Sequence, residues 1–539
     1  MRINGRRITL PSRMADAQHE SGAITDTMIP EVIQRLMHHG VHRPRAEALC
    51  EIDLESGRDR AMTYGQLCRS VSELSGLLRS ELPPGAVMIL SYENELEIAV
   101  GILGALAAGA TVFPVHPNLS ETELRGAAER SGACAVSGTE YATNVLNLGR
   151  ALTIDVRAIV RQTLHTSMDD EARAVSESVR RLSEAYGSST GGPDLLLQSS
   201  GTTETPRIVR RKCEALDAVA RGVARSIGLT EEDRVWGHVP ICHSYGVENV
   251  LLAPIFAGSA VYLSRRIEPR ALLRELDARG ISVFPSVPSV FEMLVHAAMD
   301  GQRLHSLRCA YSAGAHLPPV VADSFERRLG VHLGQLYGMT EIGSVTFNDP
   351  GSPAYDPASV GLPMDGVRVR IVDPDTRDIS RPLPPGCDGE VAVSAPSMLT
   401  GYVLDHDRPC EAPKDVVLGF FLTGDQGHLD EAGRLTITGR LKLVVDIGGL
   451  KVNLLEVEAA LRDHSGVQDC AVVPVFVSET MSRLKAFVVP AVAECPPSFD
   501  ELRRHLRSNL SAHKVPRMFE LRSSLPRSAT GKVLRRQLH

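Results

Sequence analysis

From residue 83 to residue 337, short apolar and β-branched runs alternate with stretches of helical period. The runs are Val87-Met88-Ile89-Leu90, Thr111-Val112-Phe113, Leu195-Leu196-Leu197, Val235-Trp236-Gly237-His238-Val239, Ala260-Val261-Tyr262-Leu263 and Ser282-Val283-Phe284. Residues 214–227 and 269–278 carry the helical period between them. Such alternation predicts α/β layers with largely parallel sheets. Beyond residue 367 strand follows strand, at 369–372, 390–393, 419–422 and 435–438, which predicts a β-rich subdomain closing the larger one. From residue 441, strands at 471–475 and 486–489 mix with helices at 455–461 and 499–510. The expected organisation is therefore a large N-terminal domain over residues 1–440, built of layered α/β subdomains plus a β-rich one, and a small α+β C-terminal domain over residues 441–539.

Two stretches need a separate reading. Residues 98–115 are apolar but rich in Gly and Ala and interrupted by Pro114, so they predict a buried helix running into a strand, not a membrane span. Residues 167–186 are polar with a helical period and precede Gly187-Ser188-Ser189-Thr190-Gly191-Gly192-Pro193, which predicts a surface helix on a flexible connector.

Composition narrows the class without naming it. The 539 residues, 43% hydrophobic and 23% charged, suffice for two or more domains with sizeable cores. A formal net charge of -7 gives no electrostatic footprint for nucleic acid or an anionic membrane. The ten cysteines form neither a Cys-x-x-Cys pair nor an even frame, so they read as reduced thiols of a cytoplasmic protein. The N-terminus carries Arg2, Arg6 and Arg7 but no apolar core of signal-peptide length.

Candidate chemistry begins at the loop Ser199-Ser200-Gly201-Thr202-Thr203-Glu204-Thr205-Pro206-Arg207. Hydroxyls, a glycine and a cation can surround phosphate oxygens. It is not the Walker loop, whose Gly-Lys-[Ser/Thr] ending is missing. Glu204 is discordant: a carboxylate about 5 Å from a phosphate charge would cost roughly 3 kcal/mol at an effective dielectric near 20. Five segments follow in order: Pro240-Ile241-Cys242-His243-Ser244-Tyr245-Gly246, Gly334-Gln335-Leu336-Tyr337-Gly338-Met339-Thr340-Glu341, Thr423-Gly424-Asp425, Gly439-Arg440-Leu441-Lys442 and Pro526-Arg527-Ser528-Ala529-Thr530-Gly531-Lys532.

In this order the six segments resemble the signature motifs of the adenylate-forming superfamily, over residue 63 to the C-terminus. Its members, among them acyl-CoA and aryl-CoA synthetases, carrier-protein-loading domains and luciferases, join a carboxylate to the α-phosphate of ATP and release pyrophosphate. A thiol then cuts the acyl-AMP. The resemblance implies that Lys532 neutralises the reacting carboxylate and bridging oxygen, and that Glu341 contacts Mg²⁺. It implies that Thr340 holds the α-phosphate, that Tyr337 flanks adenine, and that adenine lies along Ser312-Ala313-Gly314-Ala315. Asp425 would accept bonds from the ribose hydroxyls, with Arg440 a basic contact beside it. Ser199, Ser200, Gly201, Thr202, Thr203 and Arg207 would close over the β- and γ-phosphates. Lys442 falls at the hinge on which the mobile small domain swings.

For the acid, the resemblance puts His243, Tyr245, Asn249, Leu336 and Gly338 around the acyl pocket, with His243 beside the carboxylate or gating the thiol tunnel. No aspartate for a substrate ammonium occurs between His238 and Ile255, and Glu248 is acidic but offset, so an amino acid substrate is disfavoured. Leu336 stands where relatives with bulky acids often carry glycine, so a short or compact aliphatic or aromatic acid is expected. Ile447-Gly448-Gly449-Leu450-Lys451-Val452 resembles the glycine strand of the pantetheine tunnel, and Glu456 and Glu458 read as structural residues. The implied cofactors are ATP, Mg²⁺ and CoA, or in place of CoA the phosphopantetheine of an acyl carrier protein. Two departures, Glu204 for the loop's usual glycine and Arg207 for its usual lysine, keep a degenerate, non-catalytic nucleotide- or acyl-binding member as an alternative. Loss of that glycine should act on ATP affinity or loop closure before it acts on the choice of acid.

Overall fold

The computed structural model describes residues 29–54, 57–147, 151–165, 171–186, 193–199, 207–405, 410–440, 444–478, 481–493, 495–526, 533 and 535–538, with two short strands at 2–3 and 6–7. Two mixed sheets form the body. One runs in the order Gly401–Val403, Arg207–Lys212, Asp194–Ser199, Thr111–Pro114, Val87–Ser91, Ala133–Gly138, Leu152–Thr153. It is parallel from Asp194–Ser199 onward and antiparallel at its other edge. The other sheet has nine strands with a parallel centre of Leu333–Met339, Cys309–Ser312, Val283–Ser286, Arg234–Gly237, Ala260–Ser264 and Glu47–Ile52. The apolar runs of the sequence are these central strands. Parallel strands are covered on both faces and so need no polar alternation.

The Gly- and Ala-rich run becomes the helix Leu96–Ala108, followed by the strand Thr111–Pro114. Its small residues have a packing reason. A Cβ on Gly101 would meet the Leu90 side chain at 2.7 Å and one on Gly104 would meet Leu74 at 2.5 Å, so the helix is wedged between a strand and the helix Tyr64–Glu81. The polar helix spans Glu171–Tyr186 and buries Val175 and Leu182, and Ser72 Oγ donates to the Ser178 carbonyl at 3.3 Å. It is thus a surface helix with one docked stripe. The connector expected after it falls outside the described residues.

The β-rich unit pairs Arg368–Val372, Gly389–Ser394, Phe420–Leu429 and Val416–Val417, with Leu435–Arg440 added beside Phe420–Leu429. That long strand runs well past the expected residues 419–422 because Thr423 and Asp425, polar in sequence, are buried within it. The C-terminal part holds a hairpin, Val444–Ile447 with Leu450–Asn453, and a three-stranded sheet of Val467–Phe476, Ser482–Pro490 and Met518–Leu521. The helices Leu454–Arg462 and Phe499–Asn509 cover that sheet around Val457, Val472, Ala486 and Leu506, a core separate from the body.

Strand direction positions the site. Residues at or just past the carboxyl ends of six parallel-sheet strands converge: His116, Ser199, His238, Val287, Gly314 and Thr340 all line one crevice. Open α/β sheets place ligands at such strand ends.

Candidate active site

The crevice is a cavity of about 620 Å³ walled by both sheets, the β-rich unit and the small domain. On one side Asp425, 2% exposed, accepts the Tyr337 hydroxyl at 2.7 Å. Its own N–H donates to Thr423 Oγ1 at 3.0 Å, and the Gly424 N–H donates to Glu390 at 3.1 Å, so the Thr-Gly-Asp stretch of the strand is pinned from behind. Strand pairing sets the Arg440 backbone opposite Asp425. Glu341 receives the Tyr402 hydroxyl at a long 3.5 Å, and the Arg207 guanidinium lies over the Tyr402 ring at 4.8 Å. A cation, a ring and a carboxylate thus follow one another along the wall. The Glu341 oxygens, bound to the protein only by that long contact among the described residues, fit a hard cation shared with phosphates.

The opposite side is formed by the turn after Arg234–Gly237 and the π-helical turn Val247–Leu252. His243 is half-buried, and its Nε2, shielded from solvent, has no hydrogen-bond partner among the described residues. Burial and the nearby His116 bring its pKa down to about 4, so it stands neutral near pH 7. His238 is likewise held at about 4 by burial, with Nε2 3.0 Å from the Ser286 hydroxyl. Tyr245 donates to the Ser286 carbonyl at 3.1 Å. The loop bearing these groups is tight: a Cβ on Gly246 would lie 2.0 Å from the Pro240 carbonyl oxygen.

Glu248 also lines the cavity, fully desolvated against Arg211. It accepts Ser244 Oγ at 2.8 Å, and the Ser344 N–H and hydroxyl at 2.9 and 2.8 Å. Both members of the pair are about 1% exposed or less, and Gly343, at φ +89, leaves room for them. A Cβ there would stand 2.8 Å from Arg211 Nη2. Leu336, 5% exposed, fills the wall beside Tyr337.

The small domain closes the third side. Gly448 and Gly449, with φ +65 and +88, make the two-residue turn of its hairpin and line the cavity. A Cβ on Gly449 would meet Val287 of the body at 3.0 Å. Deeper in the seam, Lys514 Nζ bridges Glu123 of the body at 2.9 Å and Glu456 of its own domain at 2.8 Å. Ser511 also donates to Glu123, and Thr122 Oγ1 donates to the Ser508 carbonyl at 3.3 Å. Glu123 belongs besides to the capping box of the helix Glu121–Ser131, accepting the Ser120 N–H at 3.0 Å. Burial opposes its charge, but Lys514 and the Ser511 and Ser120 bonds outweigh it and hold the carboxyl below its usual range.

Most expected residues therefore meet in one cavity: Ser199, Arg207, His243, Tyr245, Gly314, Leu336, Gly338, Thr340, Glu341, Asp425, Gly448 and Gly449. Tyr337 contributes through Asp425, and Ala315 follows Gly314 without lining the space. Asn249 is not in the wall. Its amide donates to the Tyr245 carbonyl and Ser344 Oγ at 3.2 and 3.3 Å and accepts the Tyr311 hydroxyl at 3.0 Å, so it braces the wall from behind. Ser200, Gly201, Thr202, Thr203, Glu204, Lys442 and Lys532 lie outside the described residues, and Arg440 is described by its backbone alone. Sequence reasoning missed His116, His238, Tyr402, His513 and Lys514. His116 and His238 could have been found from their place within two residues of a strand end; the others come from regions distant in sequence.

The AMP-binding enzyme family matches residues 36–403 and the AMP-binding enzyme C-terminal domain matches residues 456–532. The chain belongs to this family of adenylate-forming enzymes. It is an AMP-forming acid–thiol ligase of the acyl-CoA synthetase kind. A sulfoacetate–CoA ligase of Cupriavidus necator is 28% identical over 89% of this chain and 92% of its own length. A long-chain-fatty-acid–CoA ligase of Bacillus subtilis is 30% identical over 64% of this chain and 61% of its own. In fold, the chain matches the o-succinylbenzoate CoA synthetase of Bacillus subtilis, solved as a double mutant with a product analogue, with a TM-score of 0.78 over 95% of this chain and 98% of that one at 22% identity. Among the described residues no helix is long and apolar enough to cross a membrane.

Proposed function

We propose that the enzyme is a cytoplasmic, Mg²⁺-dependent synthetase that activates a short or compact carboxylic acid and passes it to CoA. The carboxylate oxygen attacks the α-phosphorus, pyrophosphate leaves, and the thiol sulfur then displaces AMP from the acyl carbon, its proton passing to solvent. With the domains divided at residue 440, the Arg440 strand ends the body and the glycine hairpin opens the small domain. Asp425 and Tyr337 orient the nucleotide, Glu341 offers oxygen to the metal, and neutral His243 borders the reacting carboxylate. A neutral imidazole neither pairs with the acid in its ground state nor repels an incoming thiol. Gly448 and Gly449 facing the cavity support a thiol acceptor reached past this hairpin.

The observation carrying the choice of acid is Leu336, which occupies the wall where the pocket would otherwise extend beside Tyr337. The test is hydroxylamine-trapped adenylation across acetate, butyrate, benzoate and palmitate, repeated with CoA as acceptor. Short or aromatic acids are expected to give hydroxamate and CoA thioester. Leu336→Gly should raise the rate with longer acids by about tenfold relative to the short ones. Palmitate as the best wild-type substrate overturns the compact-acid reading, and hydroxamate without CoA thioester overturns CoA as acceptor.

A further inference from the structure

Lys514 and Glu123 have no evident part in either chemical step, yet together they make the most buried charge contact between body and small domain among the described residues. Each side chain of the pair is about 10% exposed. Lys514 reaches one carboxylate on each side of the seam, at 2.9 and 2.8 Å. The helix Glu121–Ser131 presents Glu123 at its amino end, and Ser511, three residues before Lys514, binds the same carboxylate. Further along the seam the Ser478 hydroxyl donates to Glu292 at 2.9 Å, and Gly449 abuts Val287. Three contacts on different elements define one orientation, and in that orientation the glycine hairpin faces the cavity.

We propose that Glu123, through Lys514, is a positioning residue for thioester formation: the pair latches the small domain in the orientation that brings the glycine hairpin to the adenylate. Its polarity suits a contact that must open. Each partner, when separated, returns to water, whereas an apolar seam of the same area would resist parting. Glu123 keeps an acceptor role toward the Ser120 N–H in either state, and Lys514 keeps Glu456. This inference rests on the ligase reading above.

The experiment follows both half-reactions of the full-length enzyme, using the panel acid that gives most hydroxamate. Glu123→Gln preserves the helix cap, because glutamine also accepts the Ser120 N–H, while removing the charge. Thioester formation from preformed acyl-AMP and CoA is expected to fall about tenfold, with hydroxamate formation within twofold of wild type. Lys514→Met should lower the thioester step similarly, and the double variant should be no slower than Lys514→Met alone. An equal loss in both half-reactions, no loss in either, or additive losses in the double variant overturns the latch. If wild type makes hydroxamate but no CoA thioester, the reading of CoA as acceptor fails, and the latch, defined on that transfer, with it.

Discussion

Two buried ion pairs flank the cavity and are built differently. Arg211–Glu248 lies inside the body, its side chains 1% exposed or less, backed by two serine hydroxyls, one backbone N–H and a glycine that leaves it room. Lys514–Glu123 lies across two domains, retains some exposure, and gives each partner a second companion on its own side. A pair that never opens can be fully desolvated, since its desolvation penalty is met once, on folding. A pair that opens in every turnover cannot sit so deep, because each opening would strand a charge in a poor medium.

The largest effect should come from breaking the sealed pair. Glu248→Ala leaves Arg211 uncompensated and is expected to destabilise the body by about 3–5 kcal/mol, whereas Glu123→Ala should remain within about 2 kcal/mol because its partner can hydrate or turn to Glu456. Urea unfolding of both variants measures the gap. Equal losses would break the distinction.

Acidification gives the next effect. His238 and His243 have folded pKa values of about 4 against an ordinary 6.5, lowered first by burial. Between those values the unfolded chain binds protons that the folded body refuses, so stability should fall as pH drops from 6.5 toward 4. His513, held at about 3 by burial and by Lys514, lies in the seam near Glu123, His243 and His116. Its protonation is relieved by undocking alone, so the thioester step should weaken on acidification before the body unfolds. His238→Gln should flatten the stability profile and leave that of the thioester step; a common profile for both would count against separate regions. The smallest effect is that of salt. Raising ionic strength from 0.05 to 0.5 M, with a Debye length falling below about 5 Å, should slow the thioester step more in wild type than in Glu123→Gln, and should leave the unfolding difference made by Glu248→Ala nearly unchanged.

The same contrast explains what could be read from the chain. Central strands such as Val87–Ser91 and Cys213–Ile227 among the helices announce themselves by local periodicity, and motif order places His243, Glu341 and Asp425 in one site. Glu248 looked offset because its meaning depends on Arg211, 37 residues away in sequence and beside it only in the folded body. Lys514 was invisible for the same reason, its partners arriving from the helices Glu121–Ser131 and Leu454–Arg462. The resemblance put Asn249 in the pocket, but the two hydroxyl-bearing partners that absorb its amide, Tyr311 and Ser344, lie far along the chain. Local pattern reports elements; pairs of charges report only after the elements have met.

The capping box at Ser120 has a consequence for turnover. A glutamate immobilised on docking forfeits rotamer freedom, up to about 2 kcal/mol, and an enzyme that docks once per product molecule would lose it on every cycle. Because the Ser120 N–H and hydroxyl already fix the Glu123 side chain, that ordering happens once, when the protein folds. The lysine arrives at a receptor that is waiting in place, and the swing of the small domain is left nearly free of side-chain entropy on the body's side.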